Sequence, residues 1–66
     1  MAELSLATVD RLIRKAGARR VSADAAEALR DILEDMAMDI AERAVEISIH
    51  VGRKTVTAED VKIASN

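Results

Sequence analysis

Between Ser22 and Gly52 the chain contains no glycine and no proline, and apolar residues recur at helical spacing across the whole interval. This pattern predicts one helix from about residue 23 to residue 50, roughly 42 Å long at 1.5 Å per residue. Its expected apolar stripe comprises Ala25, Leu29, Ile32, Leu33, Met36, Ile40, Ala44 and Ile47. In a chain of 66 residues the remaining segments supply only two short helices, which cannot cover a stripe of that length. A second copy crossing the long helix can cover it. The sequence therefore asks for a dimer built around two long helices.

The flanking elements follow from the same periodicity. Leu6, Val9, Leu12, Ile13 and Ala16 predict a first helix, opened by Ser5 or by Thr8 and stopped at Gly17. Ala18 to Val21 form a connector, and Ser22 is a favourable N-cap for the long helix, with Asp24 and Glu27 near the positive end of its dipole. Gly52 is suited to the left-handed conformation that ends a helix. Thr57 followed by Asp60 resembles a capping box opening a third helix from about Ala58, with Val61, Ile63 and Ala64 as its apolar residues. Residues 1–66 are thus expected to form a single all-α domain. Only Arg20-Val21-Ser22 and Thr55-Val56-Thr57 have extended character, with Val21 and Val56 able to tuck inward. In a dimer the first connector of one chain would meet the second connector of the other, setting Arg20 beside Lys54 and Thr55.

Composition narrows the function classes. A chain this short needs a staple, which is usually a disulfide, a metal or another chain. It has no cysteine and one histidine, so oligomerisation remains, and no metal or other cofactor is expected. No apolar run reaches membrane-spanning length and no signal pattern opens the sequence, which points to a cytoplasmic protein without a membrane partner. Without Phe, Tyr or Trp there are no platforms for stacking single-stranded bases. The pairs Glu34/Asp35 and Glu42/Glu46 fall on a solvated helix face with no nucleophile nearby, so neither an enzyme activity nor a small-molecule substrate is expected.

The net charge of -2 argues against a polyanion as partner until its distribution is considered. Arg11, Arg14, Lys15, Arg19 and Arg20 follow one another with no acid among them. From Val21 to Ile49, Asp24, Glu27, Asp31, Glu34, Asp35, Asp39, Glu42 and Glu46 face only Arg30 and Arg43. Arg53 and Lys54 then restore positive charge. Cations collect on the first helix and both connectors, which gives an acidic protein a local positive surface.

Three segments in fixed order carry a family resemblance: Ala16-Gly17-Ala18-Arg19-Arg20-Val21-Ser22, His50-Val51-Gly52-Arg53-Lys54-Thr55-Val56, and Ala58-Glu59-Asp60. Together with the short-long-short helix pattern they resemble an archaeal histone over essentially the whole chain. The resemblance implies a histone fold, an intertwined handshake dimer, and the binding, bending and wrapping of double-stranded DNA with little sequence preference. It implies association with the chromosome, as a homodimer, a larger assembly or a pair with a related histone chain.

Carried over by position, the resemblance implies that Arg20 enters the minor groove while Thr55 of the partner chain holds its side chain. Lys54 would contact phosphate, Arg11, Arg14, Lys15 and Arg19 would line the DNA path, and the backbone at Ser22 would receive a phosphate. Arg53 and Asp60 would form an ion pair bracing the second connector. Ile47, His50, Asp60 and Ile63 would join dimer to dimer, with His50 bonded to Asp60 of the neighbour. The sequence departs from the family pattern at Met38 and Ile49, apolar where polar or basic residues are common, and at Glu46, and the basic extension that often finishes the third helix is expected to be missing. A second reading therefore stands beside the first: a histone-fold interaction subunit that recruits a protein partner in transcription, with weak DNA contact.

Overall fold

The computed structural model describes residues 3–66. It contains α1 (Leu6–Lys15), α2 (Ala23–His50) and α3 (Ala58–Ala64), with no strand among the described residues. The chain divides into two compact units, one ending at Asp35 and one beginning at Met36, so α2 contributes its first half to one and its second half to the other.

In the first unit α1 packs on the beginning of α2. Ser5 opens α1, its Oγ accepting from the Thr8 amide at 3.1 Å, which decides between the two candidate caps. Gly17 ends it in a positive-φ conformation, with the Gly17 and Ala18 amides returning to the Arg14 and Ile13 carbonyls. Val9 and Ala26 are buried between the helices. The expected stripe residue Ala25 is instead exposed, because α1 covers the side of α2 one position further along. Glu34, expected on a solvated face, is half-buried, and its carboxylate accepts hydrogen bonds from the amides of Leu4, at 2.7 Å, and Glu3. The Leu4 amide holds this carboxyl below the usual range.

In the second unit α3 packs on the end of α2 through Ala44 and Ala64, both buried. Gly52 stops α2 with φ +79°, the Arg53 amide donating to the Ser48 carbonyl and the Gly52 amide to the Ile49 carbonyl, each at 2.9 Å. This is the paired pattern of a Schellman stop. Thr57 and Asp60 form a reciprocal capping box at the start of α3. Val21 is half-buried, whereas Val56, also expected to tuck inward, is exposed in the single chain.

Among the described residues the buried apolar side chains are one valine and three alanines: Val9, Ala26, Ala44 and Ala64. Their side chains are too small to supply much burial energy. Ile32 and Met36, near the middle of α2, are each 56% exposed, and Leu12 is 50% exposed. A protomer alone therefore leaves several of its larger apolar side chains uncovered.

Nothing lies within 4 Å of a Cβ built on Gly52, so the cost of substitution there comes from the left-handed backbone alone. Gly52→Ala should destabilise the fold by about 1–2 kcal/mol, read as a lower urea midpoint with an unchanged slope.

Candidate nucleic-acid interface

The cations fall into two groups. Arg14 is bonded to Asp10 at 2.7 Å, Arg30 to Asp31 at 3.2 Å, Arg43 to Asp39 at 2.6 Å and Arg53 to Asp60 at 2.7 Å. Arg11, Lys15, Arg19, Arg20, Lys54 and Lys62 are exposed and have no ion-pair partner among the described residues. Apart from Lys62, these free cations lie on α1 and on the two connectors. Both basic residues of α2 are tied to acids of the same helix.

The first connector is held from α1. Arg14 donates through Nε to Asp10 and through Nη1 to the Arg19 carbonyl at 3.1 Å. Arg14, expected among the phosphate-facing cations, remains half-exposed, and its guanidinium also ties the connector to α1. Asp10 lies one residue before the acid-free run, and only the i,i+4 geometry of α1 brings it to Arg14. At the other end of the connector the Ser22 Oγ accepts from the Ala25 amide at 3.1 Å and opens α2. Arg11 and Ser22 line one shallow groove of about 420 Å³ with Leu6 and Ala26. The remaining amides of the first α2 turn make this end favourable for an anion.

The second connector is built around buried polar groups. Asp60 is almost fully buried and receives both arms of Arg53, Nη2 at 2.7 Å on Oδ1 and Nη1 at 2.9 Å on Oδ2, together with the Thr57 amide at 2.9 Å. The Arg53 guanidinium, followed by the Thr57 amide, holds the Asp60 carboxyl down at about 2. Arg53 Nη1 also reaches the Thr55 carbonyl and the Thr57 hydroxyl, each at 3.3 Å. Ser48, buried on α2, points its hydroxyl at the carbonyls of Thr55, at 3.1 Å, and Arg53, at 3.2 Å. Sequence reasoning missed Ser48. Its one signal was a position four residues after Ala44, which puts a small hydroxyl on the buried side of the helix.

These bonds fix the backbone from which Lys54 and Thr55 project. The Thr55 hydroxyl has no hydrogen-bond partner among the described residues. Ile47, His50 and Ile63 are brought together along a groove of about 480 Å³ at the end of α2. Asp60 does not line that groove. It sits beneath Arg53, and its Oδ1 accepts only one bond where Oδ2 accepts two, so capacity for one further donor remains on Oδ1. No group of three or more His, Asp or Glu suited to a metal ion occurs among the described residues. No described helix is long and apolar enough to cross a membrane.

Short, long and short helices joined by two tightly stopped connectors define a histone fold. The chain belongs to the family of histone-like transcription factors (CBF/NF-Y) and archaeal histones, whose model matches residues 2–64. It is similar to a subunit of the archaeal histone HAN1 from Thermococcus zilligii, with 59% identity over 64 residues covering 97% of this chain and 96% of that protein. It is also similar to "Probable archaeal histone 3" of Methanocaldococcus jannaschii, with 47% identity over 64 residues and the same coverage of each.

The depressed Asp60 carboxyl makes a signed pH prediction. A group whose acidity is raised by folding stabilises the native state above its unfolded value of about 3.9, and that stabilisation is lost as pH falls toward the folded value. Urea midpoints of the parent should therefore fall between about pH 4 and pH 2. Asp60→Asn should be less stable at neutral pH and show a flatter midpoint profile across the same window.

Proposed function

We propose that this protein is a histone that binds, bends and wraps double-stranded DNA as a handshake dimer, associated with the chromosome. The observation that carries the reading is the division of the cations. Arg11, Lys15, Arg19, Arg20 and Lys54 on α1 and the connectors have no ion-pair partner among the described residues, while the arginines inside α2 are paired with neighbouring acids. A phosphate backbone can recruit the first group and not the second. The names of the two archaeal histone relatives point the same way.

The dimer is supported by the exposed apolar line of α2. Two copies crossing near Ile32 and Met36 would cover side chains that the single chain leaves open. The crossing would place the first connector of one protomer against the second connector of the other. Arg20 would then enter the minor groove with the partner's Thr55 hydroxyl holding it, and Lys54 would bind phosphate beside it. Arg11, Lys15 and Arg19 would follow the backbone along α1, and the amides at Ser22 would receive one phosphate. Arg14 is assigned to bracing the first connector, and the Arg53–Asp60 pair to bracing the second. Both braces lower the cost of ordering the loops on the duplex.

Ile47, His50 and Ile63 would meet their copies where dimers join, with His50 bonded to Asp60 of the neighbouring dimer. Affinity would arise from phosphate neutralisation, and preference among sequences from how readily the minor groove compresses. The alternative, an interaction subunit with weak DNA contact, is favoured by the exposure of Met38 and Ile49 on the acidic helix.

Fluorescence anisotropy with two unrelated duplexes distinguishes the readings. Arg20→Ala and Lys54→Ala should each weaken binding to a similar degree on both duplexes, while Arg43→Ala should change little. For Lys54→Ala the slope of log affinity against log salt should shrink by about 0.9 for each phosphate that is no longer neutralised. A parent protein that fails to bind either duplex at low salt would leave the interaction-subunit reading standing. Sedimentation at working concentration should give particles of two chains or more; a folded monomer would remove the shared connector edge altogether.

A further inference from the structure

We propose that the outward side of the second half of α2 is a docking surface for a cationic amphipathic helix of another protein. Met38, Val45 and Ile49 are 61%, 44% and 68% exposed. They are seven and four residues apart, so at about 100° per residue they lie on one line of the helix. Met36, Ile40 and Ile47 lie about half a turn away. A second copy covering that latter set leaves Met38, Val45 and Ile49 open. Ala44, buried in the second unit, is about 120° round the helix from Met38, so it too lies away from this line.

The charges along this line select the occupant. Glu42 lies beside it and Glu46 one step further round, and neither has an ion-pair partner among the described residues. Arg43, the cation closest in sequence, is committed to Asp39, and Arg53 beyond the helix end is committed to Asp60. Duplex DNA is repelled by unpaired carboxylates. The same face of a second copy would set Glu42 and Glu46 against their equivalents. A helix with apolar residues at three- and four-residue steps and Lys or Arg beside them answers both features, with its cations placed over Glu42 and Glu46. None of the cations assigned to DNA belongs to this line, so the inference does not rest on DNA binding, and failure of one leaves the other testable.

The test uses the full chain with 13C-labelled methionine methyls, titrated with a short designed Leu/Lys amphipathic helix and with its Leu/Glu counterpart. The Leu/Lys helix should shift the Met38 methyl and leave the Met36 methyl in place, and the Leu/Glu helix should not bind. Met38→Gln/Ile49→Gln keeps the net charge and should weaken binding at least about tenfold, equivalent to 1.4 kcal/mol. Glu42→Gln/Glu46→Gln should weaken it and flatten its salt dependence. All four side chains are exposed, so circular dichroism should show helix content unchanged in both variants. The proposal is overturned if the Leu/Lys helix does not bind, if shifts centre on Met36, or if the Leu/Glu helix binds equally well. Unchanged affinity in the Met38/Ile49 variant would reduce the effect to plain charge attraction and overturn it too. So would sedimentation showing that this variant dissolves a self-association of the parent.

Discussion

A helix of 28 residues inside a chain of 66 creates more apolar surface than its own neighbours can cover, and the other features of the fold follow from that imbalance. α1 and α3 are short, and the apolar side chains buried on them and on α2 are small: Val9 and Ala26 in the first unit, Ala44 and Ala64 in the second. The larger apolar residues Leu12, Ile32 and Met36 remain open. Folding free energy in a chain this small depends on area removed from water, so in the proposed dimer a second protomer would act as part of the core. Stability is then expected to be inseparable from protomer concentration.

Both connectors leave glycines in positive-φ conformations and are then held by arginine. Arg14 ties the first connector through the Arg19 carbonyl, and Arg53 ties the second through the Thr55 carbonyl and Asp60. The parallel is physical. Each loop must reverse the chain within a few residues, and its carbonyls then point away from regular structure and need donors. A guanidinium supplies several donors in a fixed plane and remains charged while doing so. The second connector is the more constrained of the two, because buried Asp60 and Ser48 add acceptor and donor beneath it. The cations left free, Arg19, Arg20 and Lys54, therefore project from backbone whose conformation is already set.

Charge segregation lets one small acidic protein present surfaces of opposite character. Acids along α2 neutralise Arg30 and Arg43 and leave Glu42 and Glu46 unpaired. Cations on α1 and the connectors have no competing acid partners among the described residues, once Arg14 and Arg53 are set aside as braces. Fields decay over roughly 8–10 Å at physiological salt, so such surfaces act locally although the net charge is negative. A polyanion and a cationic helix would thus be drawn to different parts of the protomer.

Local chemistry made much of the architecture legible in the sequence. Gly52, the Thr57/Asp60 capping box, the Ser22 cap and the long uninterrupted period define the ends of α2 and the start of α3, because caps and breakers act within a few residues of themselves. The acid-free basic run was visible for the same reason. The Arg53–Asp60 pairing was suggested by family resemblance, since seven residue steps across a connector do not bring two side chains together by periodicity. Tertiary packing decided the rest. It selected Ala26 over Ala25 for burial, drew Glu34 to the Leu4 amide, and seated Ser48 beneath the second connector. It also gave Arg14 a contact to the Arg19 carbonyl. Each of these depends on which side of α2 a neighbouring element covers, or on which carbonyl a loop leaves unpaired. Such partners are set by positions in space, to which the order of residues along the chain is only an indirect guide.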